Sequence, residues 1–384
     1  MDNQRIRTAQ SLAKDAQQAV REFHAAVVQP DMELVIFFCS SEYDLDVLAA
    51  EMSRLFAGVQ VVGCTTAGEI GPAGYLQHSL AGASFPAGSC TAVSGLLEHL
   101  SRFEIATGHD FAQALLQRLE SKVPKVDAEN SFALLMIDGM SVREEPVAHA
   151  LQYALGKLTL FGGSAGDDQK FSKTYVFSDG RFHSDSAVLL LANTALPFKI
   201  FKTQHFVATE QRLVVTEADP AKRIVREING LPAAEEYARL LGVDVHALNS
   251  TSFAASPVVV MIDGTDYVRS IQKANADGSL TFYCAIEEGL VLRVAHGVGL
   301  VNNLEQTFDK LNAEIGSPQI VIGCDCILRK MEVVQNALQD RVGDIFRSNN
   351  VIGFNSYGEQ FHGVHVNQTL TGIAIGTSAE PRDG

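Results

Sequence analysis

Basic charge, long apolar runs and cysteine are all scarce in this 384-residue chain. Lysine and arginine number 30 against 45 acidic residues, a formal charge of −15, and no basic cluster stands out. Such a surface repels phosphate backbones and anionic bilayers, so neither nucleic acid nor a membrane is expected as a partner. No stretch of 18 uninterrupted apolar residues occurs, and the start, MDNQRIRTAQSLAKDAQQAV, has no apolar core of a secretion signal. A cytoplasmic protein is the expectation. The six cysteines (Cys39, Cys64, Cys90, Cys284, Cys324, Cys326) lie mostly in apolar, strand-like surroundings and read as reduced, buried thiols. No C-x-x-C-H occurs, which excludes covalent c-type haem attachment.

What is present is a phrase written more than once. VVGCTTAGE spans Val61 to Glu69, and VIGFNSYGE spans Val351 to Glu359. Each follows an apolar strand (ELVIFFC; PQIVIGC) and a helix-spaced run. Asp44 caps the first of these helices, with Leu45, Leu48, Met52 and Leu55 on one face and Gly58 at its end. Met331, Val334, Leu338 and Ile345 share a face of one helix in the other. A third copy runs from SFALLMI through a helix near Pro146 to LFGGSAGDD, with Gly162 matching Gly63 and Gly353, and Gly166 matching Gly68 and Gly358 after a one-residue deletion. SLAGASF, SAVLLLA and LTGIAIG close the three copies.

A strand-helix-strand-strand unit cannot close a core alone, so the units must pack together. The expected fold is α/β (mixed α+β): repeated units forming mixed sheets covered by helices, in two tandem domains. Composition turns polar around Pro220 and Pro232, and DYVRSIQKANADGSLTFYCAI reads as a hairpin about an Asp-Gly turn. The divisions expected are a helical segment at 1–30, a first domain at 31–220 and a second at 221–384.

The chemistry-bearing residues give mixed signals. The phrase glycines suit a tight loop or a backbone cradle, but no P-loop lysine follows them. Cys324 and Cys326 lack a second ligand pair for zinc, and Cys64 lacks a base. Glu69 and Glu359 occupy matching places after the loop glycine, where each is expected to accept N–H bonds that fix its own loop. No complete catalytic set is legible, and a non-enzyme is expected.

Taken together, VVGCTTAGEI, FGGSAGDD, GCDCILR and VIGFNSYGEQFHGVHVNQTLTGIAIG resemble the FIST proteins, which carry N- and C-terminal FIST domains in tandem. The resemblance covers roughly Asp31 to Gly376 and is most specific in the closing stretch. It implies an intracellular ligand-sensing module, most similar to the nitric-oxide-sensing haemoproteins of the family, the NosP group. Their implied ligand is nitric oxide on haem b. Their implied partners are a histidine kinase or a cyclic-di-GMP enzyme (diguanylate cyclase or phosphodiesterase), and a homodimer is allowed for. Within that resemblance His183 is the first choice of axial iron ligand: it follows an Asp-Gly turn beside Phe182, with Arg181 available to a propionate. His205, with Lys199 and Lys202 nearby for propionates, is second. His362 and His365 flank Gly363 in a loop-like stretch, and His24 lies on a helix face. The alternative is a FIST module binding a small metabolite such as an amino acid, without haem.

Overall fold

A computed structural model describes residues 5–262 and 264–377. The first unit runs β1 (Arg7–Ser11), α1 (Ala16–Val27), β2 (Met32–Ser40), α2 (Leu45–Leu55), β3 (Gln60–Thr66), the short strands β4 (Glu69–Gly71) and β5 (Gly74–Leu76), and β6 (Leu80–Pro86). The second repeats this order: β7 (Thr91–Leu97), α3 (Ile105–Glu120), β8 (Ser131–Ile137), α4 (Glu144–Leu155), β9 (Leu160–Ser164), β10 (Val176–Ser178), β11 (Arg181–His183) and β12 (Ala187–Asn193). The third opens with β13 (Phe198–Thr203) and is then interrupted. An insertion carries β14 (Phe206–Asp219), β15 (Ile224–Ile228), β16 (Leu231–Pro232), α5 (Ala233–Leu241), α6 (Ser250–Ala255), β17 (Val258–Ile262), β18 (Thr265–Arg269), β19 (Ile271–Ala274), β20 (Leu280–Phe282) and β21 (Val291–Gly297). The unit resumes with α7 (Leu300–Ile315), β22 (Ile320–Cys326), α8 (Ile327–Gln335), α9 (Gln339–Ser348), β23 (Val351–Ser356), β24 (Glu359–Phe361), β25 (Val364–Val366) and β26 (Leu370–Ile375).

The mixed α/β reading holds, and the units combine by exchange. Sheet one has the order β1-β6-β2-β3-β10-β11, sheet two β7-β12-β8-β9-β24-β25 and sheet three β13-β26-β22-β23-β4-β5. Each sheet thus ends on a hairpin from a different unit: the first unit's hairpin completes sheet three, the third's completes sheet two and the second's completes sheet one. The inner faces of all three sheets share one core, in which Phe38, Met136, Phe161, Cys324 and Phe354 are fully buried. Helices cover the outside. In α1, capped by Asp15, the buried positions Ala19, Val20, Phe23 and Val27 fall at helical spacing.

The three phrase glycines are equivalent in register. Gly63, Gly162 and Gly353 lie opposite Phe37, Leu135 and Gly323 on the parallel neighbour strand. A Cβ there would stand 2.4, 2.0 and 1.8 Å from the carbonyl oxygen of that partner, so close strand approach demands glycine at all three.

Three local expectations change. The run from Met331 to Ile345 is two helices, because Ala337 takes φ 53° and the Leu338 N–H turns back to the Val333 carbonyl. Residues 1–30 hold β1 as well as a helix. Pro220, read as a boundary, sits in the turn between β14 and β15, which pair with each other in the insertion's eight-stranded sheet. The Asp277-Gly278 hairpin forms as read, between β19 and β20.

Candidate functional site

The ends of β3, β9 and β23 carry the three phrase loops, and backbone hydrogen bonds tie them in a ring. The Ala67 N–H donates to the Asn355 carbonyl at 2.9 Å, and the Asn355 N–H to that of Gly68 at 2.7 Å. The Gly166 N–H donates to the Thr65 carbonyl (3.0 Å), and the Ser164 N–H to that of Gly358 (2.8 Å). The phrase recurs because each copy is the joint at which one unit passes its hairpin to another's sheet.

Glu69 and Glu359 prove to be matched, buried acids. One oxygen of Glu69 accepts the Thr66 hydroxyl at 2.5 Å; the other accepts the Ser79 hydroxyl (2.7 Å) and N–H (3.2 Å). Glu359 repeats this with Ser356 and with Thr369, whose hydroxyl and N–H lie at 2.7 and 3.2 Å. Each does fix its own loop through a backbone N–H, as expected, but the hydroxyl contacts were not foreseen. Burial pushes the Glu69 carboxyl up to about 7 and that of Glu359 to about 8.

Beside Glu69 opens a cleft of about 590 Å³. Glu42, Ala67, Asp168 and Ile327 enter it from just beyond the C-terminal ends of β2, β3, β9 and β22, where open α/β sheets place ligands. Lys330 of α8 reaches across and donates to the Ala67 carbonyl at 2.9 Å. Burial lowers its pKa, opposed by the charges of Glu69, Asp168 and Asp325. Burial also raises that of Asp168. His78 pairs with Glu42 at 2.8 Å. Ala67, Ile327, Met331 and Val334 supply an apolar wall. Opposite charges and an apolar surface therefore meet in one concave site.

Behind the cleft runs a buried ionic chain. Asp325, at the end of β22, accepts Arg329 Nε at 2.8 Å and the Tyr75 hydroxyl of the exchanged hairpin at 2.6 Å. Arg329 Nη1 meets His205 Nδ1 at 3.1 Å, and His205 Nε2 meets Glu332 at 2.9 Å. Asp325 and Arg329 are 0% and 1% exposed. The sequence reading of GCDCILRK stopped at its cysteines. The usable signal was Asp325 and Arg329 at i, i+4 with Lys330 next to them.

The structure does not bring the haem candidates together. His183 lies on the edge strand β11, 21% exposed, with Nε2 3.3 Å from the Ser178 carbonyl of its own hairpin and Nδ1 3.8 Å from Glu98. Arg181 is exposed two residues away, and neither lines the cleft. Both ring nitrogens of His205 are already engaged by Arg329 and Glu332. As placed, these residues do not fit a haem. His362 occupies the hairpin turn, His365 is buried in β25, and the His24 ring packs on Phe56 at 5.0 Å. The thiols of Cys64, Cys324 and Cys326 are fully buried, and burial raises their pKa values well above the ordinary range, unlike a nucleophile's. Among the described residues no three His, Cys, Asp or Glu side chains are grouped to hold a metal ion. No helix among them is long and apolar enough to cross a membrane.

The architecture is that of a repeat-built, hairpin-exchanged α/β protein with a charged cleft at its loop end. Residues 33–231 match the FIST N domain and residues 233–362 the FIST C domain. The chain belongs to the FIST family, whose domains are signal-transduction sensor modules. It is 23% identical over 216 residues to an uncharacterized protein, MJ1623, of Methanocaldococcus jannaschii, a match covering 54% of this chain and 40% of that protein. A solved structure, titled as a cyanuric acid hydrolase arising by structural concatenation, overlays 97% of this chain and 99% of its own. Its TM-score of 0.38 and identity of 8% are too low to bear on fold or function.

Proposed function

We propose that this protein is a sensory module that binds a small zwitterionic metabolite, of the amino-acid type, in the cleft between the phrase loops and α8. The observation that carries this reading is the convergence of Lys330, Asp168 and Glu42 with the apolar wall of Ile327, Met331 and Val334 in a space of about 590 Å³. A carboxylate suits Lys330, an ammonium suits Asp168 and Glu42, and an apolar side chain suits the wall. Neither His183 nor His205 is free and enclosed, so haem-based nitric oxide sensing has less support than metabolite binding. A signalling partner, of the histidine kinase or cyclic-di-GMP class that the family resemblance implies, belongs to the same proposal.

The cleft is walled by Glu42, Ala67, Gln77 and His78 of the first unit's loops, by the second unit's phrase loop and by the third unit's helix. A ligand touching all three would bias their relative placement, which is the property a sensor needs. Isothermal titration with the proteinogenic amino acids tests the reading. At least one should bind, and Lys330→Met should weaken it tenfold or more while leaving the far-UV circular dichroism unchanged. Absence of binding by all of them, or equal binding by the variant, would refute it.

A further inference from the structure

The closing phrase, GEQFHGVHVNQT, is the most distinctive in the chain, and the cleft uses none of its polar side chains. Gln360, His365, Asn367 and Gln368 are each at most 1% exposed. Yet Gln360 Oε1, His365 Nε2, both amide atoms of Asn367 and Gln368 Oε1 find no hydrogen-bond partner among the described residues. Two further unpartnered atoms, Arg269 Nε and Ser270 Oγ, belong to the insertion, on residues 8% and 1% exposed. The Arg269 Nη1 donates to the His365 carbonyl at 2.5 Å, and Gln368 Nε2 to the Ala254 carbonyl of α6 at 2.9 Å, so the insertion roofs this hairpin. Seven of the twelve unpartnered buried polar atoms in the described residues lie on this phrase or on Arg269 and Ser270, although such atoms normally find a partner.

Two of these side chains pack on a glycine. A Cβ on Gly358 would stand 2.3 Å from His365 Cε1, 2.6 Å from His365 Nε2 and 3.0 Å from Asn367 Nδ2, so the bare glycine is what brings the imidazole and the amide side by side. Their chemistry is mixed. Gln360 Nε2 donates to Ser164 Oγ and to His365 Nδ1, which leaves the imidazole proton on Nε2 as a donor. Burial holds the His365 pKa down at about 4, so the ring is neutral. Arg269 Nε and Asn367 Nδ2 are donors as well, and the three amide oxygens are acceptors. Arg223 bridges Glu144 (2.6 Å) and Glu145 (2.7 Å), and the charges of Glu145 and Arg269 act on His365 in opposite directions.

Repeat register says what this seam corresponds to. With Glu69 set on Glu359, Gln77 and His78, which line the open cleft, fall on Asn367 and Gln368; His78 and Gln368 even share a left-handed φ, 47° and 52°. The seam is therefore the cleft's counterpart, covered by the insertion. We propose that it is a second, enclosed binding site, for a small molecule of no net charge that carries amide- or hydroxyl-type donors and acceptors together. Entry requires the insertion to lift, so occupancy would lock the insertion onto the three-sheet core.

Native mass spectrometry of the purified 384-residue chain tests this, with extraction and mass analysis of whatever is released on denaturation. A molecule held behind residues nine-tenths buried leaves slowly and copurifies. The wild type should carry a near-stoichiometric added mass of small-molecule size, and the extract should resolve an amide from a polyol. Asn367→Leu, and independently Arg269→Met from the opposite wall, should lose that mass while keeping the wild-type far-UV spectrum. Wild-type protein without any added mass means the seam holds only water, and the proposal falls. It falls equally if both variants keep the mass, or if Lys330→Met loses it and Asn367→Leu does not, which would put the molecule in the cleft.

Discussion

Replacing Glu359 by glutamine should make the protein more stable at neutral and alkaline pH. Its carboxyl is fully enclosed, and burial raises its pKa from 4.5 to about 8 against the opposing Ser356 and Thr369 hydrogen bonds. A group whose pKa is raised on folding binds its proton more tightly in the native state, so stability is full below about 4.5 and declines as pH climbs towards 8. At pH 7 the unfolded carboxylate is ionised and the native one mostly is not. At about 1.4 kcal/mol per pH unit, the native state forgoes roughly 3 kcal/mol by pH 7. Glutamine has no such proton, and its amide can donate to Ser356 Oγ while its oxygen accepts from Thr369. The second unit already puts Val176 at the corresponding ladder position, so a carboxyl is not required there. For a chain of this length, at about 2 cal/mol/K of unfolding entropy per residue, 3 kcal/mol is a melting shift of roughly 4 °C. Scanning calorimetry of wild type and Glu359→Gln at pH 4.5, 7 and 8.5 reads the difference, which should be near zero at the first and widen through the second. A difference independent of pH, or a variant less stable at pH 8.5, would show that the buried acid is ionised and paired after all.

Three further outcomes follow from the geometry. Arg329→Met leaves Asp325 buried with only Tyr75 and Asn355 as partners and should cost about 3–5 kcal/mol in chemical denaturation; a loss under 1 kcal/mol would mean that the ionic chain is dispensable. Gly162→Ala drives a Cβ to 2.0 Å from the Leu135 carbonyl and should cost more than about 4 kcal/mol, whereas Gly323→Ala, whose nearest neighbour is a leucine methyl at 3.2 Å, should be far milder; equal melting temperatures would contradict the register. His183→Ala should leave stability within about 0.5 kcal/mol and any haemin uptake unchanged, and loss of a Soret band in that variant alone would restore the haem reading.

The units were legible because their cores are written in local periodicity: ELVIFFC, SFALLMI and PQIVIGC are strands buried on both faces, and the phrase glycines mark where parallel neighbours approach closely. The exchange was not. Short hairpin strands such as Glu69–Gly71 carry three residues of pattern, and nothing local says whose sheet they join. The insertion interrupts the third unit after Thr203, and the polar stretch at Pro220 forms a hairpin turn within it. Glu69 and Glu359 were legible as a matched pair, but their raised pKa values depend on enclosure that only packing reveals. Lys330 and the Asp325–Arg329 pair were visible as residues and overlooked as chemistry, since their partners Ala67, Tyr75 and His205 stand more than a hundred positions away. His183 attracted attention through its neighbours in sequence, and those neighbours belong to an edge.

The hairpin exchange sets an order on biosynthesis. Sheet three takes β4–β5 from the start of the chain but gains its own central strands only after residue 320, and sheet two waits for β24–β25 to seal β9. A ribosome that has made the first two units holds a nascent chain with an unsealed strand edge and a hairpin still without its host sheet. Pairings such as Ile70 with Gly353 then close loops of nearly three hundred residues, the slowest kind of contact to form. The FIST N segment expressed by itself would carry the same open edge, so the family's two domains divide sheets that the fold shares, and an isolated half invites edge-to-edge association.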